Sequence, residues 1–342
     1  MITEEFEMKV GIVGCGFMGR MHYRCWQAQP GATVTAICEA NPDVLKQAGQ
    51  GNVDGAADQL DLSDVAIYTD FDEMLAKADL DAISITLPTF LHADFTVKAL
   101  EKGVHVLCEK PMALSLEECD RMTAAATASG KTLMIAHCIR FWPEFAKAKE
   151  IIDSGKYGKV LTASFRRQGA PPSWAADGWF MDKKRSGGMV LDLHIHDTDF
   201  VHYAFGMPKA VSSFGIEGPG GVTGHIVSRF DYGDNRLVVV EGGWMMPDSF
   251  GFEMSFQILL EKAVLVLHPS QDPTFKVMPN DGEPFTPDVA DGDGYSREIA
   301  HFAAVVEGKQ ELSVVTPEQS RETVRIIFAE EESVEKGVAV EL

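Results

Sequence analysis

The sequence predicts an α/β chain in two parts, a doubly wound parallel sheet followed by an α/β domain with a large, mostly antiparallel open sheet. Three observations predict it. An apolar run from Met8 to Val13 leads into Gly14-x-Gly16-x-x-Gly19 and then a helical pattern. Apolar runs and helical stretches alternate as far as His137. Beyond residue 138 most runs alternate apolar with polar residues instead, the pattern of a sheet with one covered face.

The first element carries the most chemistry. Gly14 permits a tight turn, Gly16 lets backbone N–H groups approach a pyrophosphate, and Gly19 allows the helix to pack closely on the strand. Phe17 and Met18 then open the helix, whose N-terminal N–H groups favour an anion. A second apolar run, Ala32 to Cys38, ends at Glu39, about 20 residues past Gly19, where a dinucleotide site places its ribose-binding acid. A carboxylate there accepts from both ribose hydroxyls and repels a 2′-phosphate, which favours NAD over NADP. Strand, glycines and acid together read as a dinucleotide site, whereas the glycine pattern alone is weak.

The remaining elements of the first part follow in order. A helix runs from Gly16 to before Gln29-Pro30-Gly31, and Asn41-Pro42-Asp43 opens another. After a glycine-rich stretch from Gly49 to Asp64 come a strand at Ala66 to Tyr68 and a helix from Phe71 to Ala78. Ala82 to Leu87 is a continuous apolar run, and so a strand buried on both faces. A helix from Leu91 to Lys102 is capped by Gly103, and the strand Val104 to Cys108 ends in Glu109-Lys110-Pro111. Ser115 and Glu118 form an S-x-x-E capping box for a helix that Gly130 ends, and Thr132 to Ala136 finishes the sheet. Residues 1–137 are therefore expected to form the dinucleotide-binding domain and 138–342 a second domain, to which the family resemblance described below assigns substrate binding and oligomerisation.

In the second part a linking helix runs from Phe141 to Ser154. Strand patterning follows at 160–168, 210–216, 225–232, 237–244, 252–260, 263–267 and 275–278, with a hairpin turn at Gly233-Asp234-Asn235. Two helices close the chain, Tyr295 to Val306 and Pro317 to Glu335, the second capped by Thr316 with Gln319 as its partner.

A net charge of −21 argues against nucleic acid or an anionic membrane as partner, since both need a basic face. Six cysteines, all in the first half, form no C-x-x-C pair and no zinc spacing, and read as reduced core residues. The acidic start, Met1 to Glu7, does not resemble a signal peptide, and no apolar run reaches the roughly 18 residues of a membrane span, so the cytoplasm is the expected location.

Two stretches can carry chemistry beside a dinucleotide. Lys110, at the carboxyl end of a parallel strand, can donate to a substrate oxygen and stabilise a developing alkoxide, with Pro111 able to take the cis form and fix its direction. The competing reading is a surface lysine at a strand end. In the helix expected from Gly188, Asp192, His196, Asp199 and Tyr203 fall on one face. A carboxylate one turn from an imidazole suits His196 to take a proton near neutral pH, although an ordinary polar stripe has the same spacing. A metal site from His194 and His196 is disfavoured, because on a helix they point about 200° apart.

With these motifs in order, the chain resembles the Gfo/Idh/MocA oxidoreductases, the glucose–fructose oxidoreductase and inositol dehydrogenase family. The resemblance covers nearly the whole chain: Gly11 to Gly19, Glu39, the Asp81 to His92 segment with Leu87-Pro88-Thr89 and His92, Glu109-Lys110-Pro111, Arg140-Phe141-x-Pro143, Gly187-Gly188 to Asp199, and the closing Glu298 to Phe302 helix with its Ser333 to Val340 tail. It implies a Rossmann domain and a second domain whose open sheet makes homodimer or homotetramer contacts. It also implies NAD-dependent oxidation of a secondary hydroxyl on a cyclic sugar or polyol, with Lys110, Asp192 and His196 as catalytic residues and no metal. By that analogy Leu87, Pro88, His92 and Glu109 line the cofactor cleft, while Arg140 and Trp179 are weaker substrate-side candidates. His194 stands where many members have a small residue, so it can reach the pocket and alter specificity. The alternative is a glycosidase or lyase that keeps NAD bound through a redox-neutral cycle.

Overall fold

The structure, a computed structural model, describes residues 7–46, 60–172, 176–218 and 221–342. Of the glycine-rich stretch from Gly49 to Asp64, residues 49–59 lie outside the described residues. The chain divides into two compact units, Met1–Cys138 with Asp293–Arg321, and Ile139–Gly292 with Glu322–Leu342.

In the first unit, six strands form one parallel sheet: β1 Met8–Val13, β2 Ala32–Cys38, β3 Ala66–Tyr68, β4 Ala82–Ile85, β5 His105–Glu109 and β6 Leu133–Ala136. Their order is β3-β2-β1-β4-β5-β6, so the direction of travel reverses between β1 and β4. In such a sheet a ligand binds outside the strand carboxyl ends at that reversal. Helices α1 Phe17–Ala28, α2 Phe71–Lys77, α3 His92–Glu101 and α4 Leu116–Ser129 make the crossovers. The continuous apolar runs follow from this arrangement, since β4 and β6 are buried throughout. Local signals hold at α4: Ser115 accepts the Glu118 N–H, Glu118 returns to the Leu114 N–H, and Gly130 closes the helix at φ 66°. Asn41-Pro42-Asp43 opens only a 3₁₀ turn, Pro42–Lys46.

The compact units differ from a single cut at 137, because residues 293–321 return to the first unit. The cause is apolar. Helix α8, Gly294–Val306, capped by Asp293 through a box with Ser296, buries Ile299 and Phe302. Phe302 meets Trp26 of α1 edge to face at 6.1 Å, and Trp26 is itself fully buried, donating its Nε1–H to Ser84 of β4.

The second unit holds eight strands: β7 Val160–Gln168, β8 Ala210–Glu217, β9 Thr223–Asp231, β10 Leu237–Gly243, β11 Glu253–Leu260, β12 Ala263–Leu267, β13 Phe275–Pro279 and β14 Val340–Glu341. They lie in the order β13-β12-β11-β7-β10-β9-β8-β14, and β7 with β10 is parallel within an otherwise antiparallel set. The helices are α5 Pro143–Asp153, α6 Lys183–Ser186, α7 Ile195–Phe205 and α9 Pro317–Lys336, with a π turn over Val190–His194 leading into α7. The core gathers Phe145 of α5, Phe165 of β7, Phe200 of α7 and Phe256 of β11, with neighbouring ring centroids 4.9 to 6.0 Å apart. Alternation along β7 and β9 accounts for one covered face. The two-residue β14 went unread, being too short to show a period.

All six cysteines are free thiols, and all but Cys25 are buried; burial pushes Cys15 up to about 11 and Cys119 up to about 12, so neither is a thiolate at neutral pH. Among the described residues no helix is long and apolar enough to cross a membrane. If 293–321 completes the first core, Phe302→Ala should cost about 3–5 kcal/mol. Chemical denaturation followed by Trp fluorescence checks this, and a loss below about 1 kcal/mol would remove α8 from that core.

Candidate active site

The first unit brings its glycine turn to the sheet reversal. Gly14 has φ +83°, and a Cβ there would meet the Thr86 carbonyl at 2.9 Å. At Gly19 a Cβ would lie 2.0 Å from the Gly14 carbonyl oxygen, so the helix can approach the turn this closely only without a side chain. Gly16 differs: a Cβ there would meet no protein atom within 4 Å. Its missing side chain opens space in front of the uncapped N-terminus of α1, where Phe17 and Met18 are half-buried. Thr86 donates to the Val13 and Gly14 carbonyls and fixes the turn from the β4 side.

Glu39 stands at the end of β2 with its carboxylate already oriented. Oε2 accepts the Cys15 N–H at 2.8 Å, inside the glycine turn, and Oε1 accepts the Asn41 N–H at 3.0 Å. Its remaining lone pairs can accept from a ribose.

At the carboxyl end of β5, Lys110 follows Glu109 and precedes Pro111 across a cis peptide bond. Glu109 is buried; Oε1 accepts from His22 Nε2 at 3.1 Å and Oε2 accepts the Lys110 N–H at 3.1 Å. Burial works against its charge, but the His22 bond and the His22 and Lys110 charges prevail and hold the carboxyl below its usual range. His92, also buried, puts Nδ1 2.8 Å from the Pro111 carbonyl and Nε2 2.8 Å from the Leu87 carbonyl. Burial draws its pKa down against those two bonds. Both residues, expected to line a cofactor cleft, are buried and tie neighbouring backbone together. His92 ties the Leu87-Pro88 loop to the E-K-P turn, and Glu109 holds the Lys110 backbone, while Leu87, Pro88 and Lys110 are half-buried.

In the second unit, Asp192 and His196 are half-buried, the first in the π turn and the second in the first turn of α7. The expected single stripe is corrected at Asp192, which lies in the π turn, outside the regular α7 that carries His196, Asp199 and Tyr203. Asp199 is buried, accepting from Arg140 Nε at 2.8 Å and Nη2 at 2.7 Å and from Thr323 at 3.0 Å, and the Arg140 guanidinium lies 4.8 Å from the Tyr203 ring centre. The π turn breaks the 3.6-residue period between Asp192 and the regular α7. Arg140, offered as a substrate-side candidate, is buried and anchored bidentately on Asp199.

His194 is corrected likewise. It is fully buried, its Nε2 bonds Glu330 at 2.9 Å, and a Cβ at Gly242 would come within 2.5 Å of its Nδ1, so it packs into the sheet and does not reach a pocket. Glu330 also accepts from Thr198, and Arg167 holds Asp197 at 2.8 and 3.0 Å. Asp197, Asp199 and Glu330 thus each have donors, which a carboxylate's removal from water requires. Trp179 is half-buried and stacks on Phe180 at 4.0 Å.

Sequence reasoning gave no role to Glu298, Glu330 or the Arg167–Asp197 pair. Glu298 left a signal, being a carboxylate on the apolar stripe that carries Ile299 and Phe302.

A doubly wound sheet with this turn and this acid defines a dinucleotide-binding protein. Residues 8–137 match the oxidoreductase family with an NAD-binding Rossmann fold, and residues 145–266 match the Gfo/Idh/MocA C-terminal domain. The chain belongs to the Gfo/Idh/MocA family. It is 31% identical over 239 residues to a 2,7-anhydro-N-acetylneuraminate hydratase of Mediterraneibacter gnavus, a match covering 68% of this chain and 60% of that protein. It is 27% identical over 362 residues to the D-glucoside 3-dehydrogenase of Escherichia coli, covering 98% of this chain and 97% of that one. The WlbA dehydrogenase of Bordetella pertussis, solved with NADH and UDP-GlcNAcA, has the same fold, with a TM-score of 0.83, 19% identity and coverage of 98% of this chain and 99% of that one.

The open space at Gly16 makes a sharp expectation. Gly16→Ala should leave stability within about 1 kcal/mol yet weaken NAD binding about ten-fold or more. Calorimetric titration beside a thermal melt checks it, and unchanged affinity would remove the pyrophosphate from this turn.

Proposed function

We propose that the chain is an NAD-dependent dehydrogenase that oxidises a secondary hydroxyl of a cyclic sugar or polyol, reversibly. One observation carries the reading: Lys110 stands at the carboxyl end of β5, beside the sheet reversal, with its backbone held by a buried Glu109. Bound NAD supplies the hydride acceptor. Lys110 then donates to the reacting oxygen and favours its alkoxide character, His196 takes the hydroxyl proton, and Asp192 orients the imidazole or a substrate hydroxyl. The full-length likeness to a D-glucoside 3-dehydrogenase supports the substrate class. Phe214 and Ile216 on β8, 75% and 59% exposed, would form the contact face of a homodimer or homotetramer.

A screen of sugars and polyols for NADH formation tests this. With a substrate identified, Lys110→Ala and His196→Ala should each lower kcat by about 10² to 10⁴ with little change in NAD affinity. If both side chains serve one transition state, their losses are less than additive in the double variant. Wild-type turnover in both single variants would overturn the assignment.

The likeness to an anhydroneuraminate hydratase supports a second reading, in which NAD is recycled within one turnover. Net NADH separates the two, since only a dehydrogenase accumulates it. On either reading Glu39 selects NAD over NADP, because a 2′-phosphate would meet a carboxylate fixed by two backbone N–H groups. Glu39→Ala should weaken NAD about ten-fold and strengthen NADP, measured by paired titrations; an unchanged ratio would deny Glu39 that role.

A further inference from the structure

A cluster behind Lys110 has no part in the reading above. His22 of α1, Glu109 of β5 and Glu298 of α8 are all buried, and one nitrogen or oxygen from each lies within 4.8 Å of the other two. His22 and Glu109 are accounted for. Ser84 Oγ, which accepts from Trp26 Nε1 at 2.9 Å, lies 3.0 Å from His22 Nδ1, and His22 Nε2 faces Glu109 at 3.1 Å. Glu298 is not: it is fully inaccessible, and neither of its carboxyl oxygens has a hydrogen-bond partner.

Two carboxylates this close in a dry interior repel, and the single imidazole beside them can balance at most one negative charge. Glu109 has the better claim to the charge, since both its oxygens face N–H donors. We propose that Glu298 keeps its proton at neutral pH and that the pair, holding one proton, braces the Glu109–Lys110 turn, which makes Glu298 a positioning residue. One carboxyl oxygen of Glu298 lies within 4.8 Å of the carboxylate that already accepts from His22 and from the Lys110 backbone. That Lys110 is catalytic rests on the function proposed above; the proton on Glu298 does not.

The surrounding charges agree. Burial, then the Glu109 and Asp293 charges, place Glu298 well above the carboxylate range. Burial, with the Asp293 and Glu298 charges adding to it, pushes Cys25 of α1 up to about 12. Lys110 and His92 act on Glu109 and favour its ionised form.

The sign of the pH dependence follows. The folded chain holds a proton that the unfolded chain releases near the ordinary Glu value of about 4.3. Stability from this group is therefore complete below that value and is lost as pH rises toward the folded pKa. Glu298→Gln keeps the shape and a donor but does not titrate. The difference in thermal midpoint, Gln variant minus wild type, should grow from pH 5 to pH 9. The infrared band of a protonated carboxyl should be present in wild type at pH 7 and lost in Glu298→Gln.

Amide hydrogen exchange over residues 105–114 reads the bracing without any substrate. Exchange in Glu298→Gln should match wild type, and in Glu298→Leu it should be at least ten-fold faster. A pH-independent difference with no such infrared band would overturn the protonated state. So would a wild type that binds Zn²⁺ or Mn²⁺ and loses thermal stability with EDTA, because a cation would then balance the pair. Unchanged exchange in Glu298→Leu would overturn the bracing. A failed NADH screen beside these expected results would sink the dehydrogenase reading alone.

Discussion

The approach of Gly19 to the Gly14 carbonyl is the contact on which the first unit turns. Backbone against backbone sets the height of α1 over β1, and that height decides whether the N–H groups at the start of α1 look into open space or into protein. The surrounding bonds serve the same geometry. Thr86 holds the turn from β4, the Cys38 carbonyl accepts the Gly14 N–H from β2, and Glu39 receives the Cys15 N–H. Neighbouring strands thus fix one turn, leaving its outer face to a ligand.

The second unit reaches rigidity by another route. Three consecutive residues of α7, Asp197, Thr198 and Asp199, are buried, and each is bound by a different partner: Arg167 of β7, Glu330 of α9, and Arg140 with Thr323. Buried ion pairs add little net stability, since desolvation offsets most of the attraction. Their geometry is directional, however, and three such bonds around one helix leave it little freedom to rotate. His196 sits one residue before the first of them.

Much of this was legible in the sequence. Glycine spacing, the acid after the second run and the capping pairs are local chemistry, and local chemistry survives folding. The strand runs were legible for the same reason, their periods being written residue by residue. What could not be read was set by distant partners. His194 looked like a pocket residue because nothing nearby announces Glu330, 136 positions away. Arg140, His92 and Glu109 carried polar groups suited to a ligand, and only the fold shows those groups spent on Asp199 and on loop carbonyls and amides. The return of α8 to the first unit is equally non-local, since an apolar helix face does not say which core it joins.

The π turn at 190–194 has a bearing on how this site can be altered. A wider turn amounts to one extra residue in the helix, so chain length there sets the angular offset between Asp192 and the anchored part of α7. Deleting a single position would wind the segment back to regular pitch, leaving the residues before the turn near their present orientation and re-aiming those within it, Asp192 among them. Side-chain replacements in this region change what is presented; insertions and deletions change where it points.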